Sequence, residues 1–252
     1  MPQVDCTIFS SPDALQTETH VWLIPLDATE SEVALCEAIL SDDELARANR
    51  YRFARDRRRF VTARAYLRRI LSSYLGIDAR AAQFVYSSHG KPALSELHNT
   101  TIEFNLSHSD ELAMLAVTKN VRVGIDIEFG AALTDCRSLA ERFFHADEVA
   151  QLATLPENAY KQAFLNVWTR KEALMKAIGM GLSISLEDVV VSALPTDPPR
   201  ILQAPGDSAW NVCSLDPGAG YAASLVTEGA LPRVLRIVDP QNLGAILESF
   251  AR

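Results

Sequence analysis

Residues 121–128 read Val121-Arg122-Val123-Gly124-Ile125-Asp126-Ile127-Glu128 and guide the interpretation of the rest of the chain. Their alternation predicts a β-strand in which Asp126 and Glu128 share one face and Ile125 and Ile127 share the other. Two carboxylates on one face of an apolar strand are costly to bury without partners. A hard divalent cation such as Mg²⁺ is one suitable partner. The alternative is an edge strand whose two acids face water.

A second informative stretch, residues 160–179, reads YKQAFLNVWTRKEALMKAIG and predicts a long helix that stops at its last glycine. At about 100° per residue, Trp168, Glu172 and Lys176 stack along one side, with Lys171 beside them. A third carboxylate and two cations would then share one surface. An amphipathic helix with i,i+4 ion pairs is the alternative. Three of the chain's five lysines fall in this helix, against nineteen arginines overall, which favours a functional role.

Length and composition are those of a globular protein. The chain has 252 residues, 48% of them hydrophobic and 22% charged, and no apolar run approaches the roughly 20 residues that cross a bilayer. The N-terminal sequence MPQVDCTIFSSPD lacks the features of a signal peptide, so a cytoplasmic location without membrane attachment is expected. The scattered cysteines predict reduced thiols. The net charge of −8 argues against general nucleic-acid binding.

The arginines are concentrated in one region. Ten of the nineteen lie between Arg47 and Arg69. This density predicts a basic face that binds phosphate or an acidic partner. A solvated helix with arginines on its outer side is the alternative for most of them.

The order of elements predicts an α+β fold. Helices precede strands in each half, without regular βαβ alternation. A hairpin is expected from strands at 112–118 and 122–128, and a terminal helix at 242–250. We place a boundary between an N-terminal subdomain (1–121) and a C-terminal subdomain (122–252).

Two further segments offer polar groups at turns and strand ends. Gly90-Lys91-Pro92 predicts a turn in which the proline stiffens the lysine. Residues 104–109, FNLSHS, place Asn, Ser and His where a strand leaves its sheet. Each segment alone is weak evidence, because plain turns and structural histidines are more common in proteins than ligand sites.

Taken together, these segments resemble the 4'-phosphopantetheinyl transferases, specifically the larger Sfp-like group. The resemblance covers about residues 40–190. Its most specific part is the pair GIDIE and WxxKExxxK. The matching segments are Gly90-Lys91-Pro92, Phe104-Asn105-Leu106-Ser107-His108-Ser109, Gly124-Ile125-Asp126-Ile127-Glu128, Phe143-Phe144-His145-Ala146-Asp147-Glu148 and Trp168-Thr169-Arg170-Lys171-Glu172-Ala173-Leu174-Met175-Lys176.

The resemblance implies a fold and a reaction. Two similar α+β halves would form an intrachain pseudo-dimer, expected to be a monomer, with coenzyme A (CoA) in the cleft between them. A serine of an acyl or peptidyl carrier protein would attack the β-phosphate of CoA. The products would be the holo-carrier and adenosine 3',5'-bisphosphate. The acidic helix of the carrier would dock near Arg47–Arg69.

The resemblance also implies roles for individual residues. Mg²⁺, with Mn²⁺ as an alternative, would be held by a trio of acids, while basic and polar side chains would contact CoA. The metal ligands would be Asp126, Glu128 and Glu172; the CoA contacts would be Arg59, Lys91, Pro92, Ser107, His108, Lys171 and Lys176.

Catalysis would require charge neutralisation and a proton acceptor. Lys176 would neutralise the charge that develops on the phosphate. Glu172, a metal-bound water or Glu148 would accept the proton of the serine, and we favour Glu172.

Two departures from the family pattern bear on CoA and carrier binding. Glu44 stands one turn before Arg47, where relatives often carry a basic residue, and His145 replaces a motif serine. Two other functions stay open at the level of sequence: a Mg²⁺-dependent phosphohydrolase that acts on a nucleotide, and a non-catalytic protein that binds CoA or the carrier.

Overall fold

The computed structural model describes residues 3–5, 15–88, 90–179, 185–229 and 234–238. The expected terminal helix at 242–250 lies outside these residues. The helices are α1 (Glu30–Glu37), α2 (Asp42–Ala48), α3 (Ala54–Leu75), α4 (Cys136–Phe143), α5 (Ala146–Ala153) and α6 (Glu157–Ile178). The strands are β1 (Gln3–Asp5), β2 (Glu18–Pro25), β3 (Phe84–Tyr86), β4 (Pro92–Leu94), β5 (Ile102–Ser109), β6 (Leu112–Lys119), β7 (Val123–Phe129), β8 (Val190–Val191), β9 (Ile201–Gln203), β10 (Trp210–Leu215), β11 (Tyr221–Glu228) and β12 (Val234–Val238).

The N-terminal half packs one long helix on a five-stranded sheet, to which β12 from residues 234–238 also contributes. The strand order is β1-β12-β2-β6-β5, and β6 is antiparallel to both of its neighbours. The 22-residue helix α3 covers one face of this sheet. Leu67, Ile70 and Leu71 from the helix form a core with Trp22 and Leu115 from the sheet. The helix ends at Gly76, which adopts a left-handed conformation with φ +66°. Glycine adopts this conformation without the strain that a side chain would cause.

The C-terminal half repeats this plan on a smaller scale. Its antiparallel sheet has the order β10-β11-β7, and the 22-residue helix α6 covers one face. Phe164, Leu174 and Ala177 of the helix belong to the same core as Val226 of the sheet. Helix α6 also ends at a left-handed glycine, φ +80°. The prediction of two similar α+β halves is therefore confirmed, whereas the boundary at residue 121 stays a prediction.

The two sheets face each other through the sides that the long helices leave uncovered. Met114 and Ala116 of β6 form a shared core with Ile125 and Ile127 of β7 and Leu225 of β11. Alternation along β7 turns its other face, with Asp126, toward α6. The division of acids and isoleucines predicted for this strand is therefore observed.

The expected hairpin between residues 112–118 and 122–128 is wrong. Strand β6 pairs with β2 and β5, while β7 pairs with β11 in the other sheet. Both faces of β7 are covered, one by the opposing sheet and the other by α6. The turn after Lys119, with Asn120 at φ +59°, carries the chain from one sheet to the other.

Two smaller expectations can also be compared with the structure. Cys36, Cys136 and Cys213 are free thiols. Among the residues described, no helix combines the length and the apolar character needed to span a membrane.

Candidate active site

The candidate site lies where β5, the edge strand of the first sheet, meets β7, the edge strand of the second. Polar side chains at alternate positions of β5 form hydrogen bonds with β7. Residues later in β5 bond to residues later in β7, so the two strands run in the same direction here. Asn105 Oδ1 accepts from the backbone N–H of Ile125 at 2.8 Å, Ser107 Oγ donates to Asp126 Oδ1 at 2.9 Å, and Ser109 Oγ donates to Glu128 Oε2 at 3.0 Å. These side chains replace a backbone ladder and hold the two halves together at the acids.

Asp126 lies at the centre of this arrangement. Its Oδ1 is 2.6 Å from Lys176 Nζ, and Lys176 Nζ also donates to Ser107 Oγ at 2.8 Å. The residue is only 2% exposed, and its second oxygen, Oδ2, is buried with no hydrogen-bond partner among the described residues. Burial raises the pKa of Asp126, while the ammonium of Lys176 opposes that rise. The carboxylate therefore has one oxygen engaged by Lys176 and Ser107 and one buried oxygen whose hydrogen-bonding capacity is unmet among the described residues.

Gly124 explains why α6 lies so close to β7. A Cβ built at this position would be 2.0 Å from the carbonyl oxygen of Ala173 and 2.5 Å from the backbone nitrogen of Ala177. Any side chain here would therefore displace the helix backbone. The absence of one brings Glu172 and Lys176 over the acids of the strand.

Glu128 and Glu172 complete an acidic group around Asp126. Burial raises the pKa of Glu128 to about 6, and the charge of Asp126 adds to that effect. Burial also raises the pKa of Glu172, again with a contribution from Asp126. Burial is the main cause of both pKa shifts, and the added influence of Asp126 shows that the three carboxylates lie near one another.

The chemistry of these side chains fits a hard divalent cation. The buried Oδ2 of Asp126 and the mutual repulsion of the acids are features that a cation bound by oxygen ligands would relieve. In the part of the chain that the structure describes, no three His, Cys, Asp or Glu side chains are already gathered into a metal-binding cluster. Instead, the ammonium of Lys176 is the cation that touches Asp126.

His108 lies on the same strand as Ser107 and in a positive environment. Desolvation lowers its pKa, and the charges of Lys176, Arg47 and Arg59 add to that effect. The imidazole of His108 therefore gives up its proton more readily than that of an ordinary histidine. The surrounding cations suit an anionic group on a ligand.

Arg59 is held at this end of the site by acids of its own half. Its guanidinium donates to Asp27 at 2.9 Å and to Asp110 at 2.7 Å, and Glu111 lies 3.8 Å away. The side chain is 12% exposed. A phosphate could reach Arg59 only in competition with these carboxylates.

Lys91 and Pro92 approach the site from the β3–β4 hairpin. Lys91 Nζ donates to the carbonyl oxygen of Lys176 at 2.6 Å and lies 3.5 Å from that of Val123. Pro92 begins β4 and is partly exposed. The ammonium predicted to bind a phosphate is thus already engaged with the main chain of the other half.

Lys171 and Glu148 are not part of this cluster. Lys171 is 0% exposed and lies 2.5 Å from Glu148, which is 1% exposed. The lysine also donates to the carbonyls of Leu186 and Val189, and Glu148 accepts from the backbone N–H of Val191. The structure thus places Lys171 and Glu148 against each other in the core, whereas the CoA contact expected of Lys171 and the alternative of Glu148 as base stay predictions.

The two departures from the family pattern have structural explanations. Glu44 is 2% exposed and accepts hydrogen bonds from Arg64 and Arg68, so it anchors α2 to α3. His145 is the N-cap of α5, where its Nδ1 accepts from the backbone N–H of Asp147 at 3.3 Å. A histidine here performs the capping task for which serine is the more common residue.

Sequence reasoning missed Asn105 and Ser109 as links between the halves. Both belong to the FNLSHS segment, and their spacing of two places them on the same face as Ser107. Ser107 was expected near the 3'-phosphate of CoA, whereas the structure places it on Asp126 and Lys176. Period-two spacing of the three polar residues was the signal that could have identified this face.

Sequence comparison identifies the family of a chain with this site. The chain is 41% identical over 216 residues to the 4'-phosphopantetheinyl transferase HetI of Nostoc sp. (strain PCC 7120), an overlap that covers 85% of this chain and 90% of that protein. The chain belongs to the 4'-phosphopantetheinyl transferase superfamily. The resemblance inferred from the motifs, including membership of an enzyme family, is confirmed.

Other phosphopantetheinyl transferases match as well. The transferase psf-1 of Bacillus pumilus is 31% identical over 202 residues, which is 78% of this chain and 84% of that one. The transferase Sfp of Bacillus subtilis is 26% identical over 167 residues, which is 66% and 71% respectively. Two family models divide the chain between them. The N-terminal phosphopantetheinyl transferase model matches residues 26–120, and the superfamily model matches residues 122–226.

Proposed function

We propose that this chain transfers the 4'-phosphopantetheine group of CoA to a serine of an apo carrier protein and releases adenosine 3',5'-bisphosphate. The observation that carries the proposal is the buried Asp126, held by Lys176 and Ser107 at the meeting of the two halves, with one carboxylate oxygen free. Membership of the transferase superfamily supports it. A phosphoryl-type transfer depends mainly on positioning and on fixed charges, which is what this arrangement offers.

Asp126, Glu128 and Glu172 would hold Mg²⁺, or Mn²⁺, on the pyrophosphate of CoA. The bound cation would supply charge neutralisation at the phosphate oxygens. The pKa of Glu128 and Glu172 is raised mainly by burial and further by the nearby charge of Asp126, and this proximity of the three carboxylates supports the assignment. Chelation should abolish the activity, and added Mg²⁺ should restore it.

The chain's own residues would perform the remaining steps. Glu172 would accept the proton of the carrier serine as the serine oxygen forms its bond to the β-phosphate. The bond between that phosphorus and the oxygen of the departing adenosine bisphosphate breaks. Lys176, already fixed between Ser107 and Asp126, would stabilise the negative charge that grows on the transferred group.

The nucleotide end of CoA would lie beside His108. The charges of Lys176, Arg47 and Arg59, all of which act on His108, support this position for the 3'-phosphate, although the phosphate would compete with Asp27 and Asp110 for Arg59. The partly exposed Pro92 offers an apolar surface for the adenine. A phosphate bound here would raise the pKa of His108 toward its ordinary value.

The test is mass spectrometry of apo-acyl and apo-peptidyl carrier proteins after incubation with CoA, Mg²⁺ and the enzyme. We expect a mass increase of one phosphopantetheine group per carrier. Incubation with CoA alone is the control for a hydrolase, which would release phosphopantetheine to water. Tight CoA binding without adducts on any carrier would instead support a binding protein and overturn the proposal.

A further inference from the structure

Lys91 lies directly before β4 in the β3–β4 hairpin of the N-terminal half. Its backbone N–H donates to Ser87 Oγ at 3.1 Å, and its carbonyl oxygen accepts from the backbone N–H of Ser87 at 3.0 Å. Gly90 adopts φ +78°, a conformation that costs glycine little, and Pro92 restricts the backbone of the lysine that precedes it. These bonds and the proline together restrict the backbone from which the Lys91 side chain extends.

From this turn the side chain crosses to the C-terminal half. Its ammonium donates to the carbonyl oxygen of Lys176 at 2.6 Å and lies 3.5 Å from the carbonyl oxygen of Val123. Lys176 belongs to the last turn of α6, where exposed carbonyls and the helix dipole attract a cation. The stem also lies beside the helix terminus, because a Cβ on Gly179 would be 3.9 Å from Lys91 Cδ.

These two carbonyls belong to the two elements that carry the proposed site. Val123 precedes Asp126 by three residues on β7. Lys176 accepts the hydrogen bond of Lys91 through its backbone carbonyl, and its own side-chain Nζ lies 2.6 Å from Asp126 Oδ1. One lysine thus fixes the main chain of a second, which in turn contacts the central carboxylate.

We infer that Lys91 is a positioning residue, which fastens the end of α6 to the N-terminal half so that Lys176 is held on Asp126, and that it is not a phosphate ligand of CoA. The inference rests on the proposed function for its kinetic consequences. The contacts themselves are independent of that function.

The environment of the ammonium argues against a role in binding phosphate. Burial lowers the pKa of Lys91, and the main opposing influence is the charge of Glu103. The ammonium is partly buried, so leaving its donors unsatisfied would cost free energy. If the Lys91 ammonium moved to a phosphate, its hydrogen bond to α6 would break and the carbonyl oxygen of Lys176 would lose this donor.

A kinetic comparison of two donors separates the two roles. Lys91→Met keeps the stem and removes the charge, and Lys91→Arg restores a cation that can reach a carbonyl. We expect kcat for Lys91→Met to fall about tenfold or more, with a smaller change in the KM for CoA, and Lys91→Arg to recover part of the loss. The fall should be equally large with 3'-dephospho-CoA, which lacks the phosphate. Lys161→Met, on the exposed side of α6, is the matched control.

A raised KM for CoA in Lys91→Met that disappears with 3'-dephospho-CoA would overturn the inference, because only a phosphate ligand behaves in that way. Hydrogen–deuterium exchange, read by mass spectrometry in the absence of substrates, tests it without any reference to catalysis. Residues 173–178 should lose protection in Lys91→Met and keep it in Lys161→Met. Unchanged protection would also overturn the inference, whether or not the wild-type protein labels a carrier.

Discussion

Lys176 Nζ lies 2.6 Å from Asp126 Oδ1 and 2.8 Å from Ser107 Oγ, so a single ammonium joins α6, β7 and β5. Ser107 belongs to the N-terminal half, whereas the lysine and the aspartate belong to the C-terminal half. Because the contact spans both halves, the chemistry proposed here requires that they be correctly docked. Neither half alone contains all three groups.

The first prediction concerns this ammonium. Lys176→Met should reduce carrier labelling about a hundredfold or more, because a fixed charge aimed at a developing phosphate charge contributes strongly to the rate. Asp126→Asn, which keeps the shape and removes the charge, should have an effect of similar size. Initial rates measured with saturating CoA and carrier give the comparison. Wild-type rates in both variants would show that the reaction occurs elsewhere.

The second prediction concerns the close approach of α6 to β7. Gly124→Ala introduces a Cβ that overlaps the backbone at Ala173 and Ala177, so the helix must move. Overpacking of this kind typically costs about 1–3 kcal/mol. We expect a lower free energy of unfolding in urea together with a marked loss of labelling. Gly130→Ala is a milder comparison, because its Cβ would first meet the side chain of Leu165 at 3.0 Å. Equal behaviour of the two variants would contradict this account of α6.

The third prediction separates structure from catalysis at the buried pair of Lys171 and Glu148. Lys171→Met should lower the free energy of unfolding by about 3–5 kcal/mol, since it leaves a buried carboxylate without its partner. The double variant Lys171→Met/Glu148→Gln should recover part of that loss, and its comparison with wild type and with both single variants gives the coupling energy. Urea denaturation measures the free energy of unfolding of all four proteins. If Lys171→Met were as stable as wild type and merely inactive, the lysine would be catalytic and the structural role would be wrong.

The sequence predicted those parts of the fold in which hydrophobic and polar residues alternate with a regular period. The alternation in residues 121–128 placed Asp126 and Ile125 on opposite faces, and the helical spacing of Glu172 and Lys176 placed them together. Both patterns reflect local backbone geometry. Tertiary context then decides what each face meets, and here α6 covers the acidic side of the strand.

The partners of individual charged groups were the part that local pattern could not predict. Lys171 and Glu172 are adjacent in sequence, yet one is fully buried against Glu148 and the other faces Asp126. The turn of about 100° between successive helical residues separates them. The expected hairpin between β6 and β7 was wrong for a related reason. A short link between two strands does not reveal that they belong to different sheets.

The arginine-rich segment shows the same limit and leads to the last prediction. Arg64 and Arg68 are buried on Glu44 and cannot reach a partner. Arg50 and Arg55 are exposed, so the proposed docking face is confined to the region around the start of α3.

We therefore expect Arg50→Glu/Arg55→Glu to raise the KM for an acidic carrier several-fold while leaving the KM for CoA unchanged. The effect should diminish as salt is added, because exposed charges are screened within about 10 Å at 0.1 M ionic strength. Arg200→Glu, an exposed charge reversal in the segment that leads into β9, is the control. Steady-state kinetics at several salt concentrations would measure the KM for the carrier and the KM for CoA in each variant. Arg200→Glu reverses one charge and the double variant reverses two, so an equal rise in the carrier KM per reversed charge would mean that overall charge, rather than this face, governs the encounter.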